Sequence, residues 1–173
     1  VKYFAGFGYV KQDALYGDTR TNKSTSGFNR YNARVNIDAN IVDKYLNLSA
    51  DMAYRQEDRN SIAGSTSDVF NNMHRNPQTD PGRFPDGNLG KVSLGVNPIG
   101  LATEGGWVKD RKSVLNTRFM LDFNVPGLEG LNLKGIFSYD KIFNSIKRWT
   151  TPVDFYVWNK ITGEYDGHSP NRE

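Results

Sequence analysis

Residue parity sorts the chain most cleanly between Arg30 and Glu57. Tyr31, Ala33, Val35, Ile37, Ala39 and Ile41 fall on one parity, and Arg30, Asn32, Arg34, Asn36, Asp38 and Asn40 on the other. Successive side chains of a strand point to opposite faces, so this period of two predicts a strand with one apolar and one polar face. After Val42-Asp43-Lys44-Tyr45 the pattern returns: Leu46, Leu48, Ala50, Met52 and Tyr54 oppose Asn47, Ser49, Asp51, Arg55 and Glu57. A hairpin closed on those four residues sets Ile41 against Leu46, Ile37 against Ala50 and Arg30 against Glu57. A slip of one residue would put apolar against polar throughout.

Three further segments alternate in the same way and bring the expected strands to five. Val1, Tyr3, Ala5, Phe7 and Tyr9 form the first; Leu115, Thr117, Phe119, Leu121 and Phe123 oppose Asn116, Arg118, Asp122 and Asn124 in the second. In the third, Leu131, Leu133, Gly135, Phe137 and Tyr139 oppose Asn132, Lys134, Ser138 and Asp140, while Met120 and Ile136 break the rule on the polar side. The connections are short at Val42 to Tyr45 and at Pro126 to Gly130. They are long from Ala14 to Gly27, from about Gln56 to Lys112, and after about Asn144. Asn76-Pro77, Asp80-Pro81-Gly82, Phe84-Pro85-Asp86-Gly87 and Asn97-Pro98 fill the largest with turn chemistry. Ahead of them, Ser67-Asp68 is expected to cap a short helix that carries Val69, Phe70 and Met73 on one face and stops before Pro77.

Composition removes several classes of function. The chain of 173 residues has no cysteine, which excludes disulfide scaffolds and thiolate metal sites. Its net charge of +3 comes from basic and acidic residues scattered along the chain, so no phosphate-binding arm stands out and nucleic acid is not an expected partner. No run approaches the roughly 18 apolar residues of a membrane helix, and Val1-Lys2-Tyr3-Phe4 does not begin a secretory leader. A bilayer can also be crossed by closed barrels, whose signal is alternation with short turns at one end and long loops at the other. The expected fold is therefore all-β: about five antiparallel strands of a transmembrane β-barrel wall, with long extracellular loops.

Phe28-Asn29-Arg30-Tyr31-Asn32-Ala33-Arg34-Val35-Asn36-Ile37-Asp38, a hairpin, and then Asn76-Pro77, Phe84-Pro85-Asp86-Gly87-Asn88 and Asn97-Pro98 resemble, in that order, the SusC/RagA family of TonB-linked outer-membrane proteins. Gly127-Leu128-Glu129-Gly130-Leu131-Asn132-Leu133-Lys134 and Ile161-Thr162-Gly163-Glu164-Tyr165 add to the likeness, which spans essentially the whole chain. The resemblance implies a plugged barrel of on the order of 22 strands, in the bacterial outer membrane. It implies TonB-dependent import of glycans, oligosaccharides or peptides, with a SusD-like surface lipoprotein as lid. The plug and TonB-contacting segments of that family have no counterpart in this sequence, so the chain is expected to be an internal piece of such a protein.

The candidate residues follow from this frame. Arg30, Asn32, Arg34, Asn36, Asp38, Asp51, Arg55, Arg118 and Asp122 are expected to face the lumen or the plug. Asp51, Glu57 and Asp122 are expected to pair with Arg30, Arg34, Arg55 or Arg118. Trp107, Trp149, Tyr156 and Trp158, expected on extracellular loops, are candidates for contact with substrate or lid, because indole and phenol rings stack on sugar faces. Tyr3, Tyr9, Tyr31, Tyr54 and Tyr139 suit an interfacial girdle. His74 and His168 have no ligand-spaced companions, Asp80, Asp86 and Asn88 suit turns better than calcium, and no nucleophile constellation is present; catalysis, metals and cofactors are not expected. Two other readings stay open: a siderophore-type receptor or porin, and a soluble all-β carbohydrate-binding module whose apolar faces would form a core between two sheets.

Overall fold

A computed structural model describes residues 1–14, 26–128 and 130–168. The chain is all-β in character. Five strands, β1 (Lys2–Asp13), β2 (Gly27–Val42), β3 (Leu46–Ile62), β4 (Gly106–Asn124) and β5 (Asn132–Thr150), form one antiparallel sheet in sequential order. Helices α1 (Thr66–Arg75) and α2 (Pro98–Thr103) lie between β3 and β4, and β6 (Phe155–Asn159) pairs with β7 (Glu164–His168) in a separate hairpin.

Backbone bonds at the strand ends fix the register. Tyr45 N donates to Val42 O across the β2–β3 turn, where Lys44 takes φ 71°, so Ile41 stands beside Leu46 as the alternation requires. Between β3 and β4, Asn124 N donates to Tyr45 O at one end and Ala63 N to Gly106 O at the other. Between β4 and β5, Val125 N bonds Leu131 O and Thr151 N bonds Gly105 O. Each pair of bonds implies the same pairing from end to end, so side-chain parity carries through the full length of these strands.

Strands β3, β4 and β5 run farther than the alternation shows. β3 continues to Ile62, β4 begins at Gly106 and β5 reaches Thr150, so the expected loop from Gln56 to Lys112 shrinks to 63–105. The expected tail after Asn144 is mostly strand and hairpin. Hydrophobic alternation reports only where one face meets an apolar medium. Beyond Tyr54 and Ser113 both faces carry polar side chains, and the backbone ladder alone continues the strand. Of the connection expected from Ala14 to Gly27, Ala14 N bonds Ser26 O, and 15–25 lie outside the described residues.

The residues fall into two compact units. The first contains Val1–Gln12, Phe28–Asp58 and Asp110–Ser145, the body of the sheet. The second is built mainly from Arg59–Lys109 and the residues from Ile146 onward. Buried apolar side chains divide unequally between them. Among the described residues Ile62, Val69, Leu89, Val92, Val153 and Phe155 are buried in the second unit, while Val114 alone is buried in the first. The sheet unit has almost no core of its own.

In the second unit the short helix is displaced from its expected cap. Ser65, not Ser67, is the N-cap, and its Oγ accepts from Ser67 N at 3.2 Å. Of the three residues expected on one face, Val69 is buried, while Phe70 and Met73 are 41% and 56% exposed. Leu89, Val153 and Phe155 form a small core with Val96 packed against it.

Candidate functional site

The apolar face of the sheet unit is exposed along its length. Phe7 is 75% exposed, Ile41 56% and Phe137 62%, values incompatible with a covered core. Tyr9 stacks against Tyr31 with ring centroids 5.0 Å apart and donates to Asn29 Oδ1 at 3.1 Å. Tyr54 Oη bonds Gln56 Oε1 at 3.0 Å and Ser113 Oγ at 3.3 Å. Tyr9, Tyr31 and Tyr54 therefore sit where the face changes from aliphatic to polar, whereas Tyr3 and Tyr139, expected in the same girdle, stand opposite Ile37 and Thr117 inside the apolar stretch. Past Tyr54 the same face carries Gln56 and Asp58, with Asp58 Oδ1 accepting from Arg111 Nε at 2.6 Å.

The opposite face is mainly polar, although Phe4, Val10, Ile136 and Ile142 stand exposed on it by parity. The register places Asp51 across from Arg118, and Arg34, Asp51, Asn116, Arg118, Ser138 and Asp140 line a cavity of about 330 Å³. Asn116 donates to Asp140 at 2.7 Å, and Asn132 donates to both Asp122 at 2.6 Å and Asn124 at 2.8 Å. Of the expected arginine pairings, Glu57 meets Arg55 two residues away on its own strand at 3.4 Å. Asp122 instead meets Lys134 at 3.7 Å, and Arg34 Nε bonds Asn36 at 3.0 Å. Arg30 Nε is buried without a hydrogen-bond partner. Asn32 lies across from Gly8, with Nδ2 3.6 Å from the position a Cβ would take there. Asp38 and Arg55 share this face by parity on β2 and β3. The arrangement is a surface of interleaved donors and acceptors that can match a polar partner.

The four aromatic candidates separate into two pairs. Trp107 and Trp149 do not lie on loops: they belong to β4 and β5, and the register sets them opposite each other. The sequence concealed this because the period of two fades before Leu115 on β4 and beyond Tyr139 on β5. Tyr156 and Trp158 lie on β6, on one face of the hairpin with their partners Gly167 and Tyr165. Tyr165 gathers Trp158 at 4.8 Å, Phe84 at 5.1 Å and Tyr156 at 6.4 Å between ring centroids. Desolvation, then a hydrogen bond to the Asp86 carboxylate, holds the Tyr165 phenol above its ordinary pKa. Asp86 also accepts from Asn88 N at 3.2 Å and Asn88 Nδ2 at 2.8 Å, closing the turn at Gly87. Phe84, Asp86 and Tyr165 were not among the candidates. The available signal was Tyr156 and Trp158 at a spacing of two, followed by Asn159 and Gly163, a hairpin in outline.

Asn97 organises the long connection. It is 1% exposed; its Nδ2 donates to Gly82 O and Gly90 O, both at 2.7 Å, and its Oδ1 accepts from Ile99 N at 2.9 Å as the cap of α2. Val69, Met73, Val92, Ile99, Arg83 and Thr103 are among the residues lining a cavity of about 800 Å³ beside it. Arg83 is engaged by Glu104 at 2.7 Å. Among the described residues no three His, Cys, Asp or Glu side chains gather at metal-binding distance, and no helix is long and apolar enough to cross a membrane. No protein-family model, curated protein or solved structure matches this chain.

Proposed function

We propose that this chain forms part of the wall of a bacterial outer-membrane β-barrel, in a TonB-linked transporter of the SusC/RagA kind. The observation that carries the reading is the sheet unit's exposed apolar face, bordered at one end by Tyr9, Tyr31 and Tyr54 and backed by a mainly polar face, in a unit where Val114 is the one buried apolar residue described. Soluble monomers rarely expose contiguous apolar patches beyond a few hundred Å². A bilayer removes that difficulty.

The dimensions agree with a bilayer. From Tyr31 to Ile41 the apolar positions of β2 span ten residue steps, about 33 Å along a strand. At the tilt of about 40° usual in barrels this is about 25 Å of membrane normal, the height of an outer-membrane apolar band. The β2–β3 and β4–β5 turns then lie at one rim, and the strand ends at Ile62, Gly106 and Thr150, from which the chain continues into the connection at 63–105 and toward the β6–β7 hairpin, at the other. In this reading the polar ladder from Arg30 to Asp122 faces the lumen and its plug. The Tyr156, Trp158 and Tyr165 cluster belongs to the extracellular loops, where glycan, oligosaccharide or peptide substrates and a SusD-like lid would be met. Plug movement and TonB coupling are functions of other segments.

Size exclusion and circular dichroism with and without detergent test the wall assignment. Aggregation in buffer with β structure regained in detergent is the expected result. A monomeric, cooperatively folded β protein in plain buffer would overturn it in favour of a soluble module.

A further inference from the structure

The ends of β4 and β5 bring two lysines together on the sheet's apolar-band side. With Thr151 N bonded to Gly105 O and Val125 N to Leu131 O, Lys109 stands directly opposite Lys147, and Trp107 opposite Trp149 in the next row of that face. Like charges directly opposed across a ladder repel. Neither lysine has an ion-pair partner among the described residues. The β3 neighbour in the same row is Asn60, which brings no charge, and the carboxylate of Asp58 is taken by Arg111 at 2.6 Å. Lys109 Nζ lies 4.8 Å from the Trp107 ring centroid, so one ammonium rests on an indole. Trp149 is 62% exposed, with its Nε1 donating to Thr151 Oγ1 at 3.1 Å.

Resting on the membrane-wall reading above, we propose that Lys109 and Lys147, flanked by Trp107 and Trp149, form a site for the phosphate group of membrane lipid headgroups. A phosphate between the two ammonium groups turns their repulsion into two charge-assisted hydrogen bonds. The indoles suit the same depth, since tryptophan favours the boundary where one end of the ring is apolar and the other wet. Position selects a lipid over a soluble anion. Lys147 lies four residues past Phe143, the last apolar ring of its parity before Trp149 on β5. That is about 13 Å along the strand and about 10 Å along the normal at barrel tilt, at the outer edge of the headgroup layer and within reach of it for a long lysine side chain.

The test uses the whole chain, folded in zwitterionic detergent and diluted into vesicles. Insertion into phosphatidylcholine vesicles, read by protease protection, reports on the wall reading alone. Partitioning is then compared between those vesicles and vesicles containing phosphatidylglycerol. The double variant Lys109→Gln/Lys147→Gln should insert into phosphatidylcholine like the native chain, yet lose about thirty-fold of the preference for the anionic vesicles, about five-fold per lysine. Lys109→Arg/Lys147→Arg should keep that preference. An undiminished preference in the glutamine variant overturns the lipid site while leaving the wall intact. Failure of the native chain to insert anywhere removes the wall, and the site with it. A third arm adds inorganic phosphate without vesicles, with Trp158→Phe isolating the fluorescence of Trp107 and Trp149. A lysine-dependent response there would assign the pair to a soluble anion and overturn the lipid.

Discussion

Replacing Asn97 with aspartate should damage the long connection more than replacing it with alanine, although aspartate has nearly the same shape. The Asn97 amide makes three bonds from a fully buried position: two donated to Gly82 O and Gly90 O, one accepted from Ile99 N. Alanine removes the helix cap, worth about 1 kcal/mol, and leaves two carbonyls short of a donor at about 1 kcal/mol or more each. The sum is about 3 kcal/mol. Aspartate keeps the cap acceptor but points an oxygen at two carbonyl oxygens and buries a charge, while Arg83 in the adjacent cavity is held by Glu104 at 2.7 Å, which raises the cost to about 4 kcal/mol. Hydrogen exchange at the amides of Leu101 and Tyr156, which bond Asn97 O and Leu89 O, reads local opening directly. Protection should fall by about 150-fold in Asn97→Ala, the factor that 3 kcal/mol sets, and further in Asn97→Asp. If the aspartate variant exchanges like the native chain, or more slowly than the alanine variant, the donor role assigned to the Asn97 amide is wrong.

Two further outcomes follow from single positions. At Gly106, φ is +105° and a Cβ would run into Trp149 O, so Gly106→Ala should part the β4–β5 ends; the Thr151 amide, bonded to Gly105 O, should lose protection while amides near Phe119 keep theirs. Tyr165 has a folded pKa above its unfolded value, so its contribution to the hairpin is complete below about pH 10 and lost as pH rises through the folded pKa. Ultraviolet titration should show its phenol ionising later than free tyrosine, and Asp86→Asn should bring it earlier.

The body of the sheet was legible because alternation imposes a simple rule on side chains wherever one face of a strand is apolar and the other polar. From Tyr31 to Ile41 and from Leu46 to Tyr54 every second residue must be apolar, and the hairpin register follows from that rule alone. Past Tyr54 and Ser113 the strands continue by backbone pairing in a polar setting. Trp107 and Trp149, opposite each other in the sheet, could therefore not be distinguished from loop residues by periodicity. The helix start moved from Ser67 to Ser65 because both are serines before Asp68, and only backbone geometry decides which one caps. The Asn97 junction and the Tyr165 cluster depend on contacts between residues far apart in the chain, such as Asn97 with Gly82 and Phe84 with Tyr165, for which no local pattern exists.

The central claim is that β2 has one face in lipid and one in a polar lumen. The chain has no cysteine, so single cysteines can be placed in turn at positions 33 to 39 without background. In bilayers, nitroxide labels on these cysteines should show high oxygen accessibility at Ala33, Val35, Ile37 and Ala39. Labels at Arg34, Asn36 and Asp38 should show low oxygen accessibility, in a strict period of two. Uniform accessibility to a water-soluble relaxation agent along the strand, or odd positions shielded from both reagents as in a protein core, would contradict the account.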